Sequence, residues 1–107
     1  MSTFDKREEA FENKFAHDEE LRFKAQARRD KLLALWAAAK LGRTDAAAEA
    51  YVNEVLVADL EEPGGEDVFR KIRRDFDAAG VGLSDHQIRR KMEELMATAM
   101  GEVKISG

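Results

Sequence analysis

Residues 63–87, PGGEDVFRKIRRDFDAAGVGLSDHQ, contain a stop, a complete helix, a second stop and the start of another helix. Pro63 cannot continue a preceding helix, and Glu66 and Asp67 put negative charge where a helix N-terminus is electropositive. Phe69, Ile72 and Phe76 then follow at three- and four-residue spacing, which places them on one face. Gly80 ends the segment, with Val81 placed to pack back on Phe76 in a Schellman-type turn. Ser84 and Gln87 have the S-x-x-Q spacing of a capping box, where hydroxyl and amide side chains reciprocally satisfy free backbone N–H groups.

Working outward, the segment after Ser84 carries Ile88, Met92, Leu95 and Ala99 at helical spacing. Upstream, Gly42 separates two more helical segments. The second opens at Thr44, an N-cap residue followed by Asp45, and shows Ala47, Tyr51, Val55 and Ala58 on one face before Pro63 stops it. The first is expected from about Phe4 to Leu41, with Lys40 in its last turn and Gly42 in the left-handed conformation beyond it. No segment alternates with period two or is rich in β-branched residues, so no strand is predicted. The expected fold is all-α: a four-helix bundle over residues 21–107, with a long first helix whose N-terminal half, residues 1–20, is a mobile arm.

The totals agree with one domain plus an arm. A chain of 107 residues with 44% hydrophobic composition supports one modest core, and one Pro with seven Gly among 37% charged residues favours long helices. With no cysteine there is no disulfide framework, thiolate metal site or thiol nucleophile. A net charge of −4 argues against nucleic acid. The basic runs Arg28-Arg29 and Arg70 to Arg74 are interleaved with acids and read as solvated helix faces. The first residues lack an apolar signal region, and the longest apolar stretch, Leu32 to Leu41, is too short to span a bilayer. A cytoplasmic protein without direct membrane insertion is expected.

Residue patterns for chemistry are missing. The sequence has no phosphate-binding G-x-x-x-x-G-K-[ST] loop and no G-x-S-x-G, and Gly80-Val81-Gly82 lacks the third glycine of a dinucleotide fingerprint. His17 and Glu20 have H-x-x-E spacing, but His86 is the only other histidine, so no metal site is expected. Trp36 and Tyr51, and the row Met92, Met96 and Met100, read as core fillers. No enzyme activity and no cofactor are predicted.

The first twenty residues set Phe4, Phe11 and Phe15 among seven acids and three bases. On a helix these three phenylalanines form a stripe only about 40° wide, and the bundle face expected further along, Leu21, Ala25, Leu32, Trp36 and Ala39, is centred about 80° away. A helix from Phe4 to Leu41 is about 57 Å long, against roughly 24 to 30 Å for each of the others, so about half of it overhangs. Burying three phenylalanines contributes about 5 to 9 kcal/mol gross, whereas ordering some twenty residues costs at least ~20 kcal/mol of backbone entropy. The arm is therefore expected to be frayed or disordered alone and to become helical on a partner that buries the stripe.

The stretches FDKREEAFENKFAHDEELRFKAQARRDKLLALWAAAKLG (4–42), EDVFRKIRRDFDAAG (66–80) and IRRKMEELMATA (88–99) closely resemble the zeta subunit family, inhibitors of the alphaproteobacterial F-type ATP synthase. The similarity covers nearly the whole chain. Asp30 and Ala34 depart from it, standing where asparagine and glycine are expected. The resemblance implies a protein inhibitor of ATP hydrolysis whose N-terminal helix enters a catalytic α/β interface of the soluble sector and reaches toward the γ rotor. Phe4, Phe11 and Phe15 would be its apolar anchors, and Asp5, Arg7, Glu8, Glu12 and Lys14 its polar contacts. The free protein is expected to be a monomer, held at the inner membrane only through the synthase. The alternative reading is a helical adaptor or dimeric interaction module pairing its Phe stripes; with only Phe4 and Phe11 one heptad apart, that seam is short.

Overall fold

A computed structural model describes residues 2–61 and 65–106, with side chains described for 18–60 and 65–104. Four helices follow one another: α1 (Ser2–Lys40), α2 (Asp45–Glu61), α3 (Glu66–Ala79) and α4 (Asp85–Ser106), and the described residues include no strand. The expected four-helix architecture is the one observed. Pro63, the expected stop of α2, lies outside the described residues.

The boundaries follow from local chemistry. At the end of α1 the Arg43 N–H donates to the Ala38 carbonyl at 2.8 Å and the Gly42 N–H to that of Ala39 at 3.1 Å, a Schellman pair. Gly42 takes φ 76°, which a residue without Cβ adopts freely. The same pattern closes α3, where the Val81 N–H donates to Phe76 at 2.9 Å and Val81 packs on the core. The capping box opens α4 as expected: the Ser84 N–H donates to Gln87 Oε1 at 2.8 Å, and the Gln87 N–H to Ser84 Oγ at 3.2 Å. Ser84→Ala is expected to cost about 1 kcal/mol, read as a lower urea midpoint with an unchanged m-value. The start of α2 is less regular than Thr44 suggests. Thr44 contributes its carbonyl to the N–H groups of Ala47 and Ala48, while Asp45 stands at φ 51°.

α1 runs along the bundle between α2 and α4, with α3 packed across the far side on α2 and α4. The main core joins Leu33, Ala34, Ala37 and Ala38 of α1 to Tyr51, Val52 and Val55 of α2, Val68, Phe69, Ile72 and Phe76 of α3, and Ile88 and Met92 of α4. Small alanines on α1 let its neighbours approach closely. Trp36 meets Phe76 edge-on with ring centroids 5.7 Å apart, a preferred aromatic geometry. The buried Tyr51 hydroxyl donates to Asp75 Oδ2 at 2.9 Å, so its polar end is satisfied. Tyr51 is a core residue, as expected, and Trp36 packs partly buried against the core.

Three expectations are corrected by this packing. The buried face of α1 is not Leu21, Ala25, Leu32, Trp36 and Ala39: Ala25, Arg29, Asp30, Leu33, Ala34, Ala37 and Ala38 are buried, Leu32 and Trp36 only partly so, and Ala39 is exposed. A helix flanked on two sides buries a wide arc, which a single-stripe reading misses. Arg29 is 7% exposed and Asp30 fully buried, so that part of the basic run is not a solvated face. On α2, Ala47 is exposed and Val52 buried in its stead.

Candidate functional site

The candidate site begins with the length of α1. Its 39 residues make about 58 Å of helix, and the 22 of α4 about 33 Å; roughly 25 Å of α1 therefore extends past its longest neighbour. The molecule measures 64 × 25 × 23 Å, with a radius of gyration of 17.4 Å against about 13 Å for a compact domain of this size. Among the described side chains, the first packed on the bundle is Leu21, which joins a small second cluster with Ala25, Met96, Ala99, Met100 and Val103. Asp18, Glu19 and Glu20 are exposed. Arg28 fastens this level of α1 to α4 through Glu102 at 3.0 Å.

The residues predicted to bind a partner, Phe4, Asp5, Arg7, Glu8, Phe11, Glu12, Lys14 and Phe15, all fall in the first four turns of α1. Their side chains, like that of His17, lie outside the described residues. The backbone is one continuous helix through all eight positions into the bundle. Extended at about 100° per residue, the Phe line passes through positions 29 and 33, both of them buried. The Phe stripe and the bundle face therefore overlap around the helix instead of standing 80° apart, and what separates them is height along it.

The sequence reading missed an apolar surface at the root of this overhang. Phe23 is 71% exposed and Leu60 81%, with Val57 of α2 also exposed. Phe23 and Leu60 border a groove of about 250 Å3 between α1 and α2, lined also by Gln26, Ala27, Asp30, Leu56 and Asp59. The available signal was phase: Phe23 lies about 160° around the helix from Leu21, so it could not share that residue's packing.

Asp30, one of the residues lining the groove, is a fully buried acid. Arg29 donates through Nε and Nη2 to Asp30 Oδ1, at 3.1 and 2.8 Å. Asp30 Oδ2 and Asp59 Oδ1 are both buried, and neither meets a donor among the described residues. Burial first, then the hydrogen bond and charge of Asp59, push the Asp30 carboxyl from 3.8 up to about 7, against the opposing pull of Arg29. Gly65, at φ 94°, leaves room for Arg29: a Cβ there would stand 3.1 Å from its guanidinium.

Elsewhere the charges brace the bundle. Arg73 joins the end of α3 to the start of α4 through Asp77, Asp85 and the Leu83 carbonyl, and the hydrogen bonds to the two aspartates raise its pKa. Arg89 grips both oxygens of Glu66 and lies 3.9 Å over the Phe69 ring. That hydrogen bonding holds the Glu66 carboxyl below its ordinary value. Burial and the bond to Asp75 raise the Tyr51 phenol. No group of three or more potential metal ligands occurs among the described residues, and none of their helices is long and apolar enough to cross a membrane.

A family model described as ATPase inhibitor subunit zeta matches residues 1–102. A protein whose structure was solved in solution by NMR is 42% identical, with a TM-score of 0.69, over 81% of this chain and 99% of that one. A comparison with curated proteins yields no match.

Proposed function

Because the chain belongs to the ATPase inhibitor subunit zeta family, whose regulatory role needs no chemistry of its own, we propose that it stops ATP hydrolysis by inserting the overhang of α1 into the enzyme. The observation that carries this reading is the mismatch in length: a 39-residue helix on a bundle whose other helices have 17, 14 and 22 residues. The overhang bears Phe4, Phe11 and Phe15 on one side. Free, this arm is frayed; on its target it is helical, its ordering cost offset by burial of the three rings.

The target is a catalytic α/β interface of the soluble sector of an F-type ATP synthase, with the tip of the arm reaching the γ rotor. Such an interface opens and closes at each rotary step. A helix wedged in it must be displaced before the step completes, so rotation stalls with nucleotide still bound. Phe4, Phe11 and Phe15 are the anchors, while Asp5, Arg7, Glu8, Glu12 and Lys14 set register and steer encounter. The bundle presents the arm and places the protein on the cytoplasmic side of the inner membrane, held there by the synthase.

The direct test is ATP hydrolysis by the isolated cognate catalytic sector with and without this chain. Hydrolysis is expected to fall to a small residual rate near one inhibitor per enzyme. An unchanged rate at saturating inhibitor would refute the assignment.

A further inference from the structure

We propose that Asp30 and Asp59 form a proton-binding clasp: one proton shared between their facing carboxyls fastens the C-terminal end of α2 to α1, and its loss to solvent loosens that end. The geometry carries the inference. Asp30 is fully buried on α1, and Asp59 of α2 lines the same groove. Each presents a buried oxygen without a donor, Oδ2 of Asp30 and Oδ1 of Asp59. Two ionised carboxylates can only accept, so as a pair of anions they would leave both oxygens unsatisfied and repel each other. One proton on Asp30 Oδ2, accepted by Asp59 Oδ1, satisfies both atoms and removes one charge.

The surrounding groups leave that proton its place. On α1, Arg29 spends its two contacts on the other oxygen of Asp30, Oδ1. On α4, Arg89 and Glu93 border a separate cleft with Arg29, Met92 and Met96, facing Arg29 and not the carboxyl pair. The turn before α3 contributes the backbone of Gly65 beside the guanidinium. Within the groove, Gln26 is neutral and Phe23, Ala27, Leu56 and Leu60 are apolar. The described charge balance is one arginine against two acids, and a single proton makes it neutral.

Linkage sets the pH window. The Asp30 carboxyl is raised from 3.8 to about 7 in the closed state, so the proton's contribution is complete below the ordinary carboxyl value and is lost as pH rises toward 7. With an ordinary carboxyl in the loosened state, the equilibrium for opening rises about tenfold per pH unit between those limits and levels off above them. The inference concerns the isolated chain and holds whether or not the arm model of inhibition is right.

The experiment uses the full chain with His17→Gln and His86→Gln, so that no imidazole titrates in the window. Carboxyl carbon shifts follow Asp30 and Asp59 from pH 3 to 9, and amide exchange over residues 56–60, corrected for intrinsic rates, follows opening. The expected result is an Asp30 midpoint near 7, with opening that increases from pH 4 to 7 and is flat above. Asp30→Asn supplies an amide N–H in place of the proton, and its opening should be independent of pH. Asp59→Asn removes the shared-proton partner, and Asp30 should then titrate well below 7. An Asp30 midpoint near 4 in the parent chain would overturn the clasp. So would an Asp30 midpoint that stays near 7 in Asp59→Asn, because burial alone would then explain it.

Discussion

Deleting residues 2–19 is expected to abolish inhibition of ATP hydrolysis while the remaining chain still folds. The first half follows from where the apolar surface sits: all three anchors of the proposed insertion lie in the deleted turns. Central aromatics of an interface commonly contribute about 2 kcal/mol or more each, so losing three is expected to weaken binding by at least about 10^4-fold. The second half follows from packing, since the described core begins at Leu21 and Ala25 and continues through Leu33 and Ala38. A dose–response with the isolated catalytic sector checks activity, and a cooperative thermal transition by circular dichroism checks folding. Full inhibition by the truncated chain would remove the arm from the mechanism. Phe11→Ala and Phe15→Ala grade the same effect, each expected to raise the half-inhibitory concentration at least about tenfold; no change in either would sink the anchor assignment.

Phe76→Ala should cost the bundle about 3 to 5 kcal/mol, the usual range for removing a buried phenyl ring. Phe76 is fully buried, meets Trp36 edge-on, and ends α3 at the carbonyl that receives the Val81 N–H. For a domain with about 5 to 15 kcal/mol in total, this is a large share. Urea unfolding measures it, and a loss below 1 kcal/mol would mean the site collapses freely. At low temperature, where the variant remains folded, saturating protein should still inhibit, because the proposed anchors are untouched. That result would separate stability, tied to α3, from inhibition, tied to the proposed arm.

The helix boundaries were legible because they are written locally. Gly42, Gly80 and the Ser84/Gln87 pair each act within one turn, and the hydrogen bonds found there are those their spacing implies. The apolar rows of α3 and α4 were legible for the same reason, since each helix buries one stripe. α1 was not, because α2 and α4 flank it on two sides and no local pattern announces the second neighbour. Arg29 and Asp30 make the point most sharply. In sequence they are two more charges in a charged run, and only the fold buries them and brings Asp59, 29 positions from Asp30, to the same groove. Phe23 is out of phase with Leu21, a signal the sequence reading did not use, and its partner across the groove, Leu60, reaches it only through the fold.

No proline or glycine interrupts residues 2–41, and α1 carries no break between the first turns and the core. Once ordered, it is a shaft and not a tether. A tether would let the tip search for its pocket whatever the attitude of the body; a shaft shares one azimuth with it. Each residue turns the tip by about 100° and advances it about 1.5 Å, so the number of residues between position 15 and Leu21 fixes the azimuth of the first turns relative to the bundle. Gripping one end of this protein therefore aims the other.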